Sequence, residues 1–413
     1  MAARAGSLLA SIPTMSTRSF PSLVCAWLIF GAGLVPLASC AAPSSVASSP
    51  IPAADAVRAI VDETIRPLMA RHDIPGMAVA VTVGGQNHIY TYGLAARAGS
   101  IPVTESTLFE VGSVSKAVTA TLAAWAVETG RISLADHPSR YLPALKGRPI
   151  DRATLLHLGT YTAGGLPQQF PEEIEGDAAA MAWFAAWKPK AAPGAVREYG
   201  NPSIALLGLA TAQALKRDFA EAVEAEVFPR FGMRHSHVRL PTSALANYAW
   251  GHRGDRPIRM RPGPLADETY GVRTTAGDLL RFLCMQIDPS ELDAPMRRAV
   301  RATQEGHFRA GPMVQGLGWE QYPWPVSREW LLGGNAEEMF WEAIPSQPAE
   351  SPSEAGQARL YNKTGSTAGF GAYVAFVPAK RIAVVLLANR NYPIPARVEA
   401  GWTILDKLAP APR

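Results

Sequence analysis

Cysteine is nearly missing from this chain: 413 residues contain three, Cys25, Cys40 and Cys284. With one of them inside an apolar leader, too few thiols remain for a disulfide framework or a cysteine zinc site. The eight histidines form no His-Glu-x-x-His and no dense His-x-His-x-Asp cluster, so a zinc hydrolase has little support and no metal is expected. His235 and His237, in "RHSHV", read as surface or strand residues. Gly-x-Ser-x-Gly is absent, which argues against a nucleophile elbow of the α/β-hydrolase kind. Charge of one sign is also scarce. The formal charge is +4, but residues 1–40 carry Arg4 and Arg18 and no acid, leaving 37 basic against 35 acidic side chains beyond them. There is no basic run to follow a phosphate backbone, so no nucleic-acid partner is expected. No internal repeat is found. With 18% charged and 48% hydrophobic residues, the composition fits a globular protein rather than a disordered one.

Long hydrophobic runs are equally rare. The one that stands out, "LVCAWLIFGAGLVPLASC" after Arg18, is too short to read as a membrane span and has the form of an export signal. Met15 is an alternative start. The run ends in Leu37-Ala38-Ser39-Cys40, the form of a lipoprotein cleavage box, so two readings stand: a lipid on Cys40 or a plain cut nearby. Either way the expected location is the periplasm, with membrane attachment only through Cys40.

Residues 41–53 read as a small-residue tether. Val57, Ile60, Val61, Ile65, Leu68 and Met69 then recur at helical spacing, and "GMAVAVTVGG" and "HIYTYGLA" follow as a hairpin around Gly84-Gly85. The middle is alanine- and leucine-rich with helical periodicity. Residues 252–270, full of turn formers, read as a long loop. "AYVAFVP" and "RIAVVLLAN" form a second hairpin. Val398, Trp402, Leu405 and Leu408 then share one face of a last helix. Cys284 and tryptophans such as Trp125, Trp183, Trp187 and Trp402 read as core, and His157 as part of a packed helix. The expected fold class is α+β, one domain over 54–413. Strands from both ends share an antiparallel sheet flanked by helices (about 54–125 and 250–413), and an all-helical lobe is inserted (about 126–249). A cleft between the lobes is the default active-site location.

One pair in "TLFEVGSVSKAVTATLAAW" could carry chemistry. Ser113 and Lys116 stand three apart at an expected helix start, so they can meet on one face. A serine hydroxyl is a weak nucleophile until a neighbour takes its proton, and a partly buried lysine can do so. Ser-x-x-Lys alone means little, since it should occur by chance about once in a chain this long. Two further elements follow in order: Tyr199-Gly200-Asn201 in "REYGNPS", and Lys363-Thr364-Gly365, which reads as opening the first strand of the last hairpin. Serine penicillin-recognising enzymes use Ser-x-x-Lys, a second polar triplet and Lys-Thr-Gly in that order.

The blocks "LFEVGSVSK", "LLHLGTYTAGGLPQQFP", "YGNPSIALLG", "NYAWGH", "YGVRTTAGDL", "QGLGWE" and "NKTGSTAGFGAYVAFVP", spread from about 55 to 408, resemble a class C β-lactamase, the AmpC-type cephalosporinases. The resemblance implies an α/β lobe and a helical lobe, no cofactor, and small-molecule β-lactams as substrates, preferentially cephalosporins. It implies no obligate protein partner, and a monomer suffices. It makes Ser113 the acylated nucleophile, with Lys116 and Tyr199 sharing proton transfers and Lys363 polarising the phenol. The backbone N–H groups of Ser113 and Ser366 become the oxyanion hole. Gln169 and Asn201 would bind the substrate's side-chain amide. Lys363, Thr364, Asn391 and Arg397 would face its carboxylate, and Tyr270 would line the side-chain pocket. Two departures stand out: Ile394 replaces the family's asparagine, and residues 333–358 match poorly. Two alternatives share the residues: a D-alanyl-D-alanine carboxypeptidase or esterase of the same fold, and an envelope sensor that is acylated without turnover.

Overall fold

The computed structural model describes residues 52–349 and 358–409. The expected leader, its lipid box and nearly all of the tether lie outside them. Helix α1 (Ala54–Arg71) buries Val57, Val61, Ile65 and Leu68, the i, i+4 stripe expected from its spacing. Strands β1 (Gly76–Val83) and β2 (Gln86–Ala96) follow as a hairpin. Every residue of β1 is buried, because helices cover both faces of the sheet at this point.

Later segments complete the sheet: β3 (Glu320–Pro323), β4 (Arg359–Ser366), β5 (Gly371–Val377) and β6 (Ile382–Ala388). Their order is β2-β1-β6-β5-β4-β3 within an eleven-stranded antiparallel sheet, so strands from the two ends of the fold sit side by side in its interior. Helix α1 and the last helix cover one face, with Ile65, Val79, Val384, Tyr373 and Leu405 among the packed side chains. The other face packs on α2 (Ser115–Glu128) and, after α3 (Asn201–Leu215), on α4 (Ala276–Ile287) and α5 (Ala294–Thr303). A third core gathers Leu145, Leu155, Phe184, Leu206 and Tyr199 around α3. The last helix, α6 (Ile394–Leu408), buries Val398, Leu405 and Leu408, while Trp402 is half-buried and donates its indole N–H to the Val326 carbonyl at 3.0 Å.

Helix α2 is buried almost all round, which fits its position between the cores and its run of small residues. It begins at Ser115, two residues later than expected. Ser113 sits in a 3-10 turn over Gly112–Val114, entered through the positive φ of Gly112.

Three other expectations change. Residues 252–270 are not all loop: Gly251–Arg253 and Arg256–Ile258 pair as a small hairpin, whose strand residues lack the hydrophobic alternation that would signal it. Lys363-Thr364-Gly365 lies inside β4, a separate strand one place before the last hairpin, because the bend after Ser366 divides one apolar stretch into two strands. Cys284 is only half-buried, on α4 near Asn87.

Candidate active site

A cleft of about 1450 Å³ opens where α2, α3 and β4 converge, and Ser113 lies in its wall. The 3-10 turn and β4 meet backbone to backbone. A Cβ added to Gly365 would stand 2.0 Å from the Val111 carbonyl oxygen and 3.1 Å from the Ser113 nitrogen. One added to Gly112 would meet the Ser366 nitrogen at 2.5 Å. The two glycines therefore let the N–H groups of Ser113 and Ser366 approach one another, the arrangement an oxyanion hole needs.

Lys116 reaches Ser113 as the spacing predicts. Its Nζ donates to Ser113 Oγ at 2.8 Å and to the Thr269 carbonyl at 3.1 Å. The side chain is fully buried, and loss of hydration brings the ammonium down to about 8, with the Lys363 cation adding to the effect. Tyr199 stands at the end of the edge strand Val196–Glu198, just before α3. Its ring centroid is 5.5 Å from Lys116 Nζ and 4.7 Å from Lys363 Nζ. Burial raises the phenol pKa, but Lys116 and Lys363 outweigh it and the net direction is downward. The hydroxyl makes no hydrogen bond of good geometry among the described residues.

Glu320 and Arg197, which the sequence reading passed over, complete this cluster. Lys363 Nζ donates to Glu320 Oε1 at 3.0 Å, and the Arg197 guanidinium lies 3.7 Å from the same oxygen. All three are buried to within 2% of full burial. Burial lowers the Lys363 pKa, yet Glu320 and Tyr199 more than reverse this and hold the ammonium charged. Arg197 lies over the rings of Tyr199 and Tyr161, whose centroids are 4.8 Å apart. The signals were weak: Arg197 stands two residues before the tyrosine, and Glu320 closes the "QGLGWE" block, but no spacing rule ties either to Lys363.

The remaining expected residues divide into two groups. Gln169, Asn201, Tyr270, Thr364, Ser366 and Asn391 line the cleft with Ser113 and Tyr199. Asn201 Nδ2 donates to Gln169 Oε1 at 2.7 Å, and the Tyr270 hydroxyl accepts from the Gly263 N–H at 3.1 Å. Lys363 and Arg397 do not reach the cleft wall. Arg397 is fully buried and donates to the Gly365 carbonyl (2.6 Å), Ser366 Oγ (3.1 Å), Asn391 Oδ1 (2.9 Å) and the Tyr392 carbonyl. These contacts brace the strand end that carries Ser366. Ile394 lines the cleft, as do Asn335, Glu337, Phe340 and Trp341 from the segment that matched poorly. Trp250 and Trp341 are exposed at this rim, against the expectation that the tryptophans are core.

Comparison with known proteins agrees with this geometry. The Beta-lactamase family model matches residues 61–409. A β-lactamase of Pseudomonas fluorescens is 44% identical over 353 residues, covering 85% of this chain and 99% of the relative. A class C β-lactamase solved in complex with cefoxitin is similar with a TM-score of 0.81 at 43% identity, over 85% of this chain and 99% of that one. The D-alanine carboxypeptidase AmpC from Burkholderia cenocepacia is similar with a TM-score of 0.80 at 45% identity, over 86% and 99%. The likeness read from "GSVSK", "YGN" and "KTG" thus extends over the whole described fold, and the chain belongs to the β-lactamase family.

Proposed function

We propose that this protein hydrolyses β-lactams through an acyl-enzyme on Ser113. The observation that carries this is the 2.8 Å contact between Ser113 Oγ and the fully buried Lys116 at the mouth of the cleft. Ser113 Oγ attacks the lactam carbonyl carbon while its proton passes to the Lys116–Tyr199 pair. The oxyanion accepts from the backbone N–H groups of Ser113 and Ser366. The C–N bond then breaks, and the leaving nitrogen takes the proton back through Tyr199. For turnover, water gives its proton to the Tyr199 oxygen and adds to the ester carbon; the acyl C–Oγ bond then breaks, and Ser113 Oγ takes that proton from Tyr199 as the opened acid leaves. Lys363, held charged by Glu320, keeps the phenol pKa down. Gln169 and Asn201 hold the side-chain amide, Tyr270 lines its pocket, and Thr364 and Asn391 meet the carboxylate. The leader-like first forty residues support export to the periplasm, and cephalosporins are the preferred substrates by family likeness.

The test is hydrolysis of a chromogenic cephalosporin by the purified protein beside Ser113→Ala, with intact mass recorded during turnover. Fast hydrolysis that disappears in Ser113→Ala, with no chelator sensitivity, supports the reading. The carboxypeptidase named among the solved relatives favours a second one. A persistent adduct on Ser113 with negligible β-lactam turnover and release of D-alanine from an acyl-D-alanyl-D-alanine peptide would select it.

A further inference from the structure

The cleft carries a charge asymmetry that acyl transfer does not need. Four arginines, Arg253, Arg256, Arg259 and Arg261, lie in its wall, and among the described residues Glu337 is the only acid there. Arg259 is spoken for. Its guanidinium carbon stands 4.1 Å from the ring centroids of both Tyr248 and Trp250, and it donates to the Ala249 and Tyr248 carbonyls. The other three are exposed and have no ion-pair partner among the described residues.

Their placement is costly without a ligand. Arg253 and Arg256 are direct cross-strand partners in the small hairpin. Like charges directly opposite each other destabilise a strand pair. The one carboxylate in the hairpin, Asp255, does not relieve them, because it pairs with Arg97 at 3.0 Å and is absent from the cleft wall. The hairpin is also fixed in place. The His252 N–H donates to the Gly369 carbonyl at 3.2 Å, in the bend beyond Ser366, and the Met260 N–H donates to the buried Glu110 carboxylate at 2.7 Å. Arg261 continues toward the side-chain pocket, two residues before Gly263, whose N–H holds the Tyr270 hydroxyl.

We propose that Arg253, Arg256 and Arg261 form an anion subsite at the outer end of the side-chain pocket, selecting β-lactams whose acylamino side chain ends in a carboxylate. This rests on the acyl-enzyme reading above. Such a substrate has two anions: the ring carboxylate near Thr364 and Asn391, and a second one that this basic rim receives.

The test compares two matched cephalosporins, adipoyl- and hexanoyl-7-aminocephalosporanic acid, which differ only in a terminal carboxylate replacing a methyl group. Second-order acylation rates of the purified protein are read from β-lactam absorbance and from adduct mass on Ser113. The adipoyl compound is expected to acylate about tenfold faster in low salt, the joint effect of three partly screened charge contacts. The ratio should fall toward one between about 20 mM and about 500 mM salt, as the screening length shrinks from about 20 Å to about 4 Å. It should also collapse in Arg256→Gln/Arg261→Gln and return in Arg256→Lys/Arg261→Lys. If both compounds acylate Ser113 with a ratio near one, or the ratio ignores salt and the substitutions, the anion subsite is overturned while the acyl-enzyme reading stands. If neither acylates Ser113, both fall.

Discussion

At the scale of single residues, the site works by withholding water from charge. Lys116 has no solvent contact, so its ammonium gives up its proton at about 8 instead of in the usual lysine range. Only the neutral amine can accept the serine proton. Acylation should therefore accelerate as pH rises toward and through about 8, a limb belonging to the Lys116–Tyr199 pair as a unit. Lys116→Arg, permanently charged, should lose the limb and about 10²–10⁴ in acylation rate. Stopped-flow acylation between pH 6 and pH 9.5 (range chosen around the lysine value) checks this, and a pH-independent wild-type rate would contradict it. Tyr199→Phe keeps the ring packed against Tyr161 and Phe340 but removes the hydroxyl. It should leave a folded protein slowed by about 10²–10⁴, with any adduct long-lived by mass spectrometry. Glu320→Gln leaves Lys363 and Arg197 buried without a counter-charge. It should cost about 3–5 kcal/mol, visible as a lower denaturant midpoint at unchanged slope.

At the scale of elements, reactivity depends on how closely a turn and a strand approach. Gly365→Ala puts a methyl group 2.0 Å from the Val111 carbonyl, so β4 must move away from the Ser113 turn. The shift should cost at least about 10² in acylation with little change in far-UV circular dichroism, because displacements near 1 Å are enough to uncouple reacting groups. An unchanged rate would mean that this contact does not set the geometry. The elements legible in the sequence were those with a strong period of their own: α1, β1, β2, β5, β6 and α6 each show an apolar pattern matching their burial. The hairpin at Gly251–Ile258 has no such period, being held by contacts from Gly369 and Glu110. Catalytic candidates were legible where chemistry fixes spacing, as between Ser113 and Lys116. Glu320 was not, because the sheet alone brings it to Lys363, 43 residues further along the chain. The contacts of Arg397 were not legible for a related reason: a motif position says which strand end a side chain reaches, not which way its guanidinium turns.

At the scale of the whole molecule, the cleft wall draws on two cores, with Tyr199 and Phe340 from one and Tyr392 from another. The pairing of β1 with β6 has a further property. Gly76 at the start of β1 donates to the side chain of Asn389 just past β6, a contact spanning 313 residues, and Met77 pairs with Ala388. During synthesis β1 is made long before its partner strand emerges. At a typical ribosomal pace the wait is on the order of tens of seconds. Until then one edge of a strand destined to be wholly buried has no mate, and loop closure over such a span is slow. Nascent chains halted before Ile382 should remain open to protease throughout, while chains carried past Leu408 acquire resistance in one step. A protein in which β1 waits for a mate held 313 residues along the chain is one that a holdase can catch unfolded through most of that interval.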